Sequence, residues 1–343
     1  MLVKDFDFNL PSELIAQSPL RERSESRLMV VKPQSGKLLD DRFINLGEYL
    51  RPGDVLVRNN TRVLPARLLG VKVTTGAVVE VLLLKQINED YWECLVGNAR
   101  VVKVGTVVNF NEGELQAECI EVREEGIRVF RMKYQGVFLE LLERLGKIPL
   151  PPYIHEKLND AERYQTVYAK KPGSAAAPTA GLHFTEELFT RLEAQGVEVL
   201  DLTLEIGLGT FRPIKVEEVT EHHMHEETYE ISEEVAAKLN EAKKEKKRII
   251  AIGTTSCRTL EANFGKYRSY RAESSSTDIF IYPGYRFRAI DCLITNFHLP
   301  KSTLIMLVAA FAGQELTMKA YSQAIEKGYR FFSFGDSMFI DYE

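Results

Sequence analysis

Arg248-Ile249-Ile250-Ala251-Ile252-Gly253-Thr254-Thr255-Ser256 decides the fold class. Its apolar half is a short buried strand, and the glycine and hydroxyl residues that follow turn the chain into a helical stretch from Cys257 to Asn263. The same order returns downstream. Ala289 to Asn296 reads as a second strand, leading through Phe297-His298-Leu299-Pro300-Lys301-Ser302 into an apolar helix that reaches about Ala312. Arg330-Phe331-Phe332-Ser333-Phe334 reads as a third strand, ending on Gly335-Asp336. Strand-to-helix alternation of this kind implies an α/β sheet with parallel components.

Between about residues 68 and 134 the pattern is different. Short alternating segments such as Val78 to Leu83 and Arg128 to Met132 are separated by Thr75-Gly76, Asn88-Glu89-Asp90, Gly105, Glu112-Gly113 and Glu125-Gly126. Turn signals at this spacing, with β-branched residues between them, describe an antiparallel barrel or sandwich. The α/β domain is therefore expected to be discontinuous, made of residues 1–60 and 150–343, with a β-barrel-like domain inserted at 61–149 and a Pro149 to Tyr153 linker closing it. At 343 residues the chain has room for about two domains at the usual length of roughly 150 each.

Composition narrows the function. No apolar run reaches the roughly 20 residues that span a bilayer, and the Met1 to Asp7 start lacks the apolar core of a secretory signal, so a cytoplasmic protein with no membrane partner is expected. Cys94, Cys119, Cys257 and Cys292 form no Cys-x-x-Cys pair, which speaks against a disulfide framework or a zinc ribbon. A net charge of −5 excludes nucleic-acid binding by bulk basicity but leaves room for a local basic surface, such as Arg58, Arg62, Arg67 and Lys72.

In an open α/β sheet, ligands sit outside the carboxyl ends of the strands, so the residues just after strands are the first candidates. Thr254, Thr255 and Ser256 place hydroxyls and backbone donors at a helix N-terminus, suited to a carboxylate or phosphate, although such residues also cap helices routinely. Asn296, His298 and Ser302 follow another strand, and Asp336 follows a third. Gly173 to Phe184 packs three consecutive alanines, two glycines and Pro178 around Thr179 and His183, so that a ligand can approach the backbone closely. His222, His223 and His225 form a dense imidazole cluster suited to acid-base work, with a metal-dependent hydrolase as its alternative. Gly207 to Pro213 lacks the third glycine and the Lys-Ser/Thr of nucleotide sites. Cys257 at a helix start could be a thiolate, but no partner base is evident.

Taken together these segments closely resemble one family over nearly the whole chain: the S-adenosylmethionine:tRNA ribosyltransferase-isomerases of queuosine biosynthesis. The matching motifs include Asp5 to Phe8, Asn59 to Arg67, Pro149 to Tyr153, Arg163 to Tyr168, Gly173 to Phe184, Gly207 to Pro213, His222 to His225, Gly253 to Glu261, Thr277 to Gly284, Ile294 to Thr303 and Phe331 to Asp336. The chain departs from the pattern at Glu205, Cys257 and Ser275-Ser276, and at Gly97-Asn98-Ala99 in the insertion. The resemblance implies transfer and isomerisation of the ribosyl group of S-adenosylmethionine onto 7-aminomethyl-7-deazaguanine at the tRNA wobble position. Epoxyqueuosine, adenine and methionine are the products. It further implies a monomer with no cofactor or metal, S-adenosylmethionine being a substrate. His183, His222, His223, His225, His298 and Asp278 are then the catalytic candidates. Asn60, Arg62, Arg67, Thr179, Phe184, Thr210, Arg212, Thr254, Thr255, Ser256, Arg258, Asn296, Ser302 and Asp336 are the substrate-binding ones. A noncatalytic tRNA-binding protein is the competing reading.

Overall fold

The structure, a computed structural model, describes residues 1–156, 158, 160–207 and 214–342. The chain builds two compact units, one from Met1–Arg62, Pro152–Lys171 and Ala177–Glu343, the other from Val63–Pro151 and Pro172–Ala176. In chain order the strands are β1 Arg27–Lys32, β2 Lys37–Arg42, β3 Val55–Asn59, β4 Thr61–Val63, β5 Arg67–Lys72, β6 Val78–Asn88, β7 Tyr91–Val96, β8 Val107–Phe110 and β9 Leu115–Val122. They continue with β10 Ile127–Tyr134, β11 Lys171–Ser174, β12 Glu198–Leu204, β13 Glu227–Ile231, β14 Ile249–Ile252, β15 Glu273–Thr277, β16 Cys292–Asn296 and β17 Ser337–Asp341. The helices are α1 Phe138–Leu145, α2 Glu186–Ala194, α3 Glu233–Lys244, α4 Gly253–Tyr267, α5 Thr303–Ala312 and α6 Gln314–Glu326.

The first unit is a nine-stranded mixed sheet in the order β15-β13-β12-β3-β14-β16-β17-β1-β2. Its centre is parallel: β12, β3, β14 and β16 run side by side in one direction. Every residue of β14 and β16 is buried, and β3 is buried except at Arg58, as befits strands covered on both faces. α5 is apolar nearly all round and correspondingly sunk in the core. One edge of the sheet collects the ends of β12, β3, β14 and β16 together with the starts of β13, β17 and β1, because those three strands run antiparallel to the central ones.

Two local readings of the sequence need correction. The helix after β14 begins at Gly253 and not at Cys257, because Gly253 adopts a φ of +86° that turns the chain straight from strand to helix. Thr254, Thr255 and Ser256 therefore form the first helical turn. Arg330 to Phe334 is no strand; the strand is Ser337–Asp341, and Phe332, with φ of +73°, belongs to the turn leading into it. Aromatic residues satisfied by burial in a turn carry the same hydrophobic signal as a strand.

The second unit contains a closed barrel in the order β10-β7-β6-β5-β8-β9, all antiparallel. Gly70 lets two strands close up: a Cβ there would lie 2.6 Å from the Asn109 carbonyl oxygen and 2.7 Å from the Phe110 ring. The buried Arg128 guanidinium donates to the carbonyls of Ala99, Val102, Arg123 and Ile127, tying the irregular 99–102 turn to the barrel. Among the described residues, no helix is long and apolar enough to cross a membrane.

Candidate functional site

The sheet edge where β14 and β16 end is occupied by a short 3-10 turn, Thr179–His183, which packs against β16 and α4. Small residues make that fit possible. Ala180 lies in the core beside Ile252 and Ile294, and a Cβ on Gly181 would stand only 1.9 Å from the Tyr168 hydroxyl oxygen. The turn delivers one polar side chain to the buried edge. His183 is 4% exposed, and its Nδ1 lies 2.7 Å from Ser26 Oγ at the start of β1.

Burial pushes the His183 pKa down to about 4; the Asn296 amide beside the ring raises it, and the guanidiniums of Arg330 and Arg23 lower it further. At neutral pH the imidazole is therefore uncharged. Nδ1 and Ser26 Oγ share one hydrogen bond whose direction follows the tautomer, and Nε2, with the Asn296 amide beside the ring, makes no close hydrogen bond among the described residues. The same holds for several neighbours. Asn296 donates to the Phe332 carbonyl at 2.9 Å while its Oδ1 makes no close hydrogen bond, and Thr255 Oγ1 and Ser256 Oγ are buried without hydrogen bonds among the described residues. Buried polar atoms are normally paired, so such a concentration around one turn marks a place built for a ligand. α4 adds its N-terminal turn, since its N-cap is Ile252 and supplies no side-chain acceptor.

Other sequence candidates lie elsewhere or are already occupied. Asp336 is buried with each oxygen accepting a backbone N–H, from Arg27 at 2.9 Å and Arg330 at 2.8 Å; burial raises its pKa. Ser302 caps α5. His298 is a core histidine whose Nε2 lies 2.9 Å from Thr295 Oγ1, and burial alone lowers its pKa to about 3. Phe184 stacks on Phe189 with ring centroids 4.6 Å apart and contributes core, not contact surface. Asn60 Oδ1 accepts from Thr203 at 2.7 Å, and Arg62 pairs with Glu162. Arg67 belongs to the barrel unit, 3.7 Å from Glu80. Cys257 is fully buried, which drives its thiol pKa well up. Thr210 and Arg212 lie outside the described residues.

The imidazole cluster occupies irregular chain before β13, not a strand. His223 and His225 are exposed, whereas His222 rests edge-on against Phe280 at 5.2 Å; burial, then His225 and His223, lower its pKa. Asp278, exposed, stands two residues before Phe280 in the segment following β15. Arg258, on α4, is 5% exposed and pairs with the equally buried Glu227. Sequence reasoning passed over Ser26, Tyr164, Thr166 and Tyr168 as site residues. Ser26 is 157 positions from His183, and no local pattern foretells the pairing.

This architecture, an α/β unit with ligand-ready polar groups at the carboxyl edge of its sheet and a barrel unit beside it in sequence, is that of an enzyme, and the comparisons give its class. The model of the family described as queuosine biosynthesis protein matches residues 3–340. Among solved structures, S-adenosylmethionine tRNA ribosyltransferase from Thermotoga maritima is 38% identical, over 98% of this chain and 99% of that one, with a TM-score of 0.56. The protein is a transferase. The chain belongs to the queuosine biosynthesis protein family.

Proposed function

We propose that the protein transfers and isomerises the ribosyl group of S-adenosylmethionine onto 7-aminomethyl-7-deazaguanine at the wobble position of tRNA, giving epoxyqueuosine-tRNA, adenine and methionine. The observation that carries the reading is the buried Thr179–His183 turn packed beside the uncapped first turn of α4, where the Thr255 and Ser256 hydroxyls are buried without partners among the described residues. A sulfonium acidifies its neighbouring CH2, so a positioned base can begin the reaction without a metal. Departure of adenine needs an acid, which His183 at neutral pH is not. The exposed His222 to His225 segment supplies imidazoles with access to protons for that step. Thr179, Thr254, Thr255, Ser256 and Asn296 bind the nucleoside end, and the basic Arg62 and Arg67 contact the tRNA backbone. The enzyme works as a cytoplasmic monomer without a cofactor.

Titration calorimetry tests the substrate. Binding of S-adenosylmethionine by the wild type, weakened at least tenfold by His183→Gln and Asn296→Ala, is the expected outcome. No heat at millimolar ligand, with or without tRNA carrying the deazaguanine base, contradicts the proposal.

A further inference from the structure

The buried pair Arg258 and Glu227 stands at the same carboxyl edge of the sheet, because Glu227 opens β13 where β12 ends. Arg258 Nη1 bonds Glu227 Oε2, and Nε donates to the Ile279 carbonyl at 3.2 Å. Nη2 has no partner among the described residues. A buried guanidinium N–H left unpaired is costly, so a fold that keeps one there needs a reason. Thr255, one turn earlier on the same side of α4, also keeps Oγ1 unpartnered, and helical side chains lean back towards the N-terminus, where the uncapped first turn lies. Guanidinium, hydroxyl and helix N-terminus are all donors suited to an anion. Glu227 holds the guanidinium through one edge and accepts from the Gly207 amide at 3.3 Å with its other oxygen, so it is bound on both sides.

Resting on the proposed substrate, we infer that Arg258 takes the carboxylate of the methionine end of S-adenosylmethionine, with Glu227 as the positioning residue that orients it. That carboxylate is the donor's only anionic group, and a 5% exposed guanidinium favours a small-molecule anion over a polymer phosphate.

The experiment compares S-adenosylmethionine with its decarboxylated analogue, which keeps the sulfonium and the adenosine. Wild type should favour the carboxylated donor by roughly 100-fold in kcat/KM, mostly through KM. Arg258→Met should raise KM for S-adenosylmethionine by about that factor while leaving the analogue within about threefold, so the preference collapses. Glu227→Gln, which keeps one acceptor oxygen but loses the other and the charge, should raise KM several-fold with kcat nearly unchanged. A merely structural pair would depress both donors equally. Because Arg258→Met alone leaves a buried carboxylate unpaired, the double variant Arg258→Met with Glu227→Gln guards against loss of folding. Wild type that uses both donors equally overturns this assignment without any variant, whereas wild type that uses neither overturns the parent reading. A variant that loses affinity for tRNA and keeps its donor preference assigns Arg258 to a phosphate and also overturns the inference.

Discussion

Gly181→Ala is the most stringent probe of the turn that carries His183. The added Cβ would meet Tyr168 Oη at 1.9 Å and the Tyr168 ring and Thr166 Cγ2 at 2.9 Å, well short of ordinary contact near 3.4 Å. Tyr168 cannot step aside cheaply: it is 5% exposed, packs edge-on against Phe189 at 5.5 Å and lies under the Arg58 guanidinium at 4.4 Å. The turn must give instead. Overpacking of this kind costs about 1–3 kcal/mol, and at roughly 2–4 °C per kcal/mol for a protein of this size Tm should fall by about 2–12 °C. A displacement of about 1 Å at His183 should lower ribosyl transfer on the order of 100-fold. Adding Tyr168→Phe removes the closest atom, so the double variant should regain roughly half the lost stability. Differential scanning calorimetry and single-turnover transfer are the assays. A Gly181→Ala protein with wild-type Tm and rate would refute the claim that this close approach positions the imidazole.

Three further outcomes are expected. His183 and His298 hold their protons less tightly when folded, at about 4 and about 3, than the usual 6.5. The unfolded chain therefore binds more protons in that window. Stability should be complete above about pH 6.5 and fall below it, by about 1.4 kcal/mol per pH unit for each imidazole, and urea denaturation of His183→Gln should show a shallower slope. Among single Gln substitutions at His222, His223 and His225, at least one should lose roughly 100-fold in turnover with little change in Tm, as exposed imidazoles allow; full activity in all three removes them from the chemistry. Arg62→Ala with Arg67→Ala should weaken tRNA binding and flatten its salt dependence, since each phosphate that is no longer neutralised reduces the slope by about one; an unchanged slope excludes both arginines as phosphate ligands.

The parallel centre of the sheet was legible in the sequence because strands buried on both faces read as unbroken apolar runs such as Ile249 to Ile252. The barrel was legible from its glycine-punctuated alternation. Side-chain partners were not. Nothing in the spacing distinguishes His183, which pairs with the distant Ser26, from His298, whose Nε2 lies against a threonine three residues away, or shows that Asp336 is consumed by two backbone amides. The hydroxyl run after Gly253 was visible, but its place in the first turn of α4 follows from a backbone angle. Glu227 stood beside the imidazoles in sequence, but only the fold shows that its carboxylate pairs with the distant Arg258.

Mass spectrometry of nucleosides from tRNA carrying 7-aminomethyl-7-deazaguanine, incubated with the wild-type protein and S-adenosylmethionine labelled with carbon-13 in its ribose, tests the central claim most directly. The account predicts epoxyqueuosine carrying all the ribosyl label, with adenine and methionine released in equal amounts and the product lost in His183→Gln. Unmodified tRNA, or tRNA that gains an unlabelled methyl group and no ribosyl label, would contradict it.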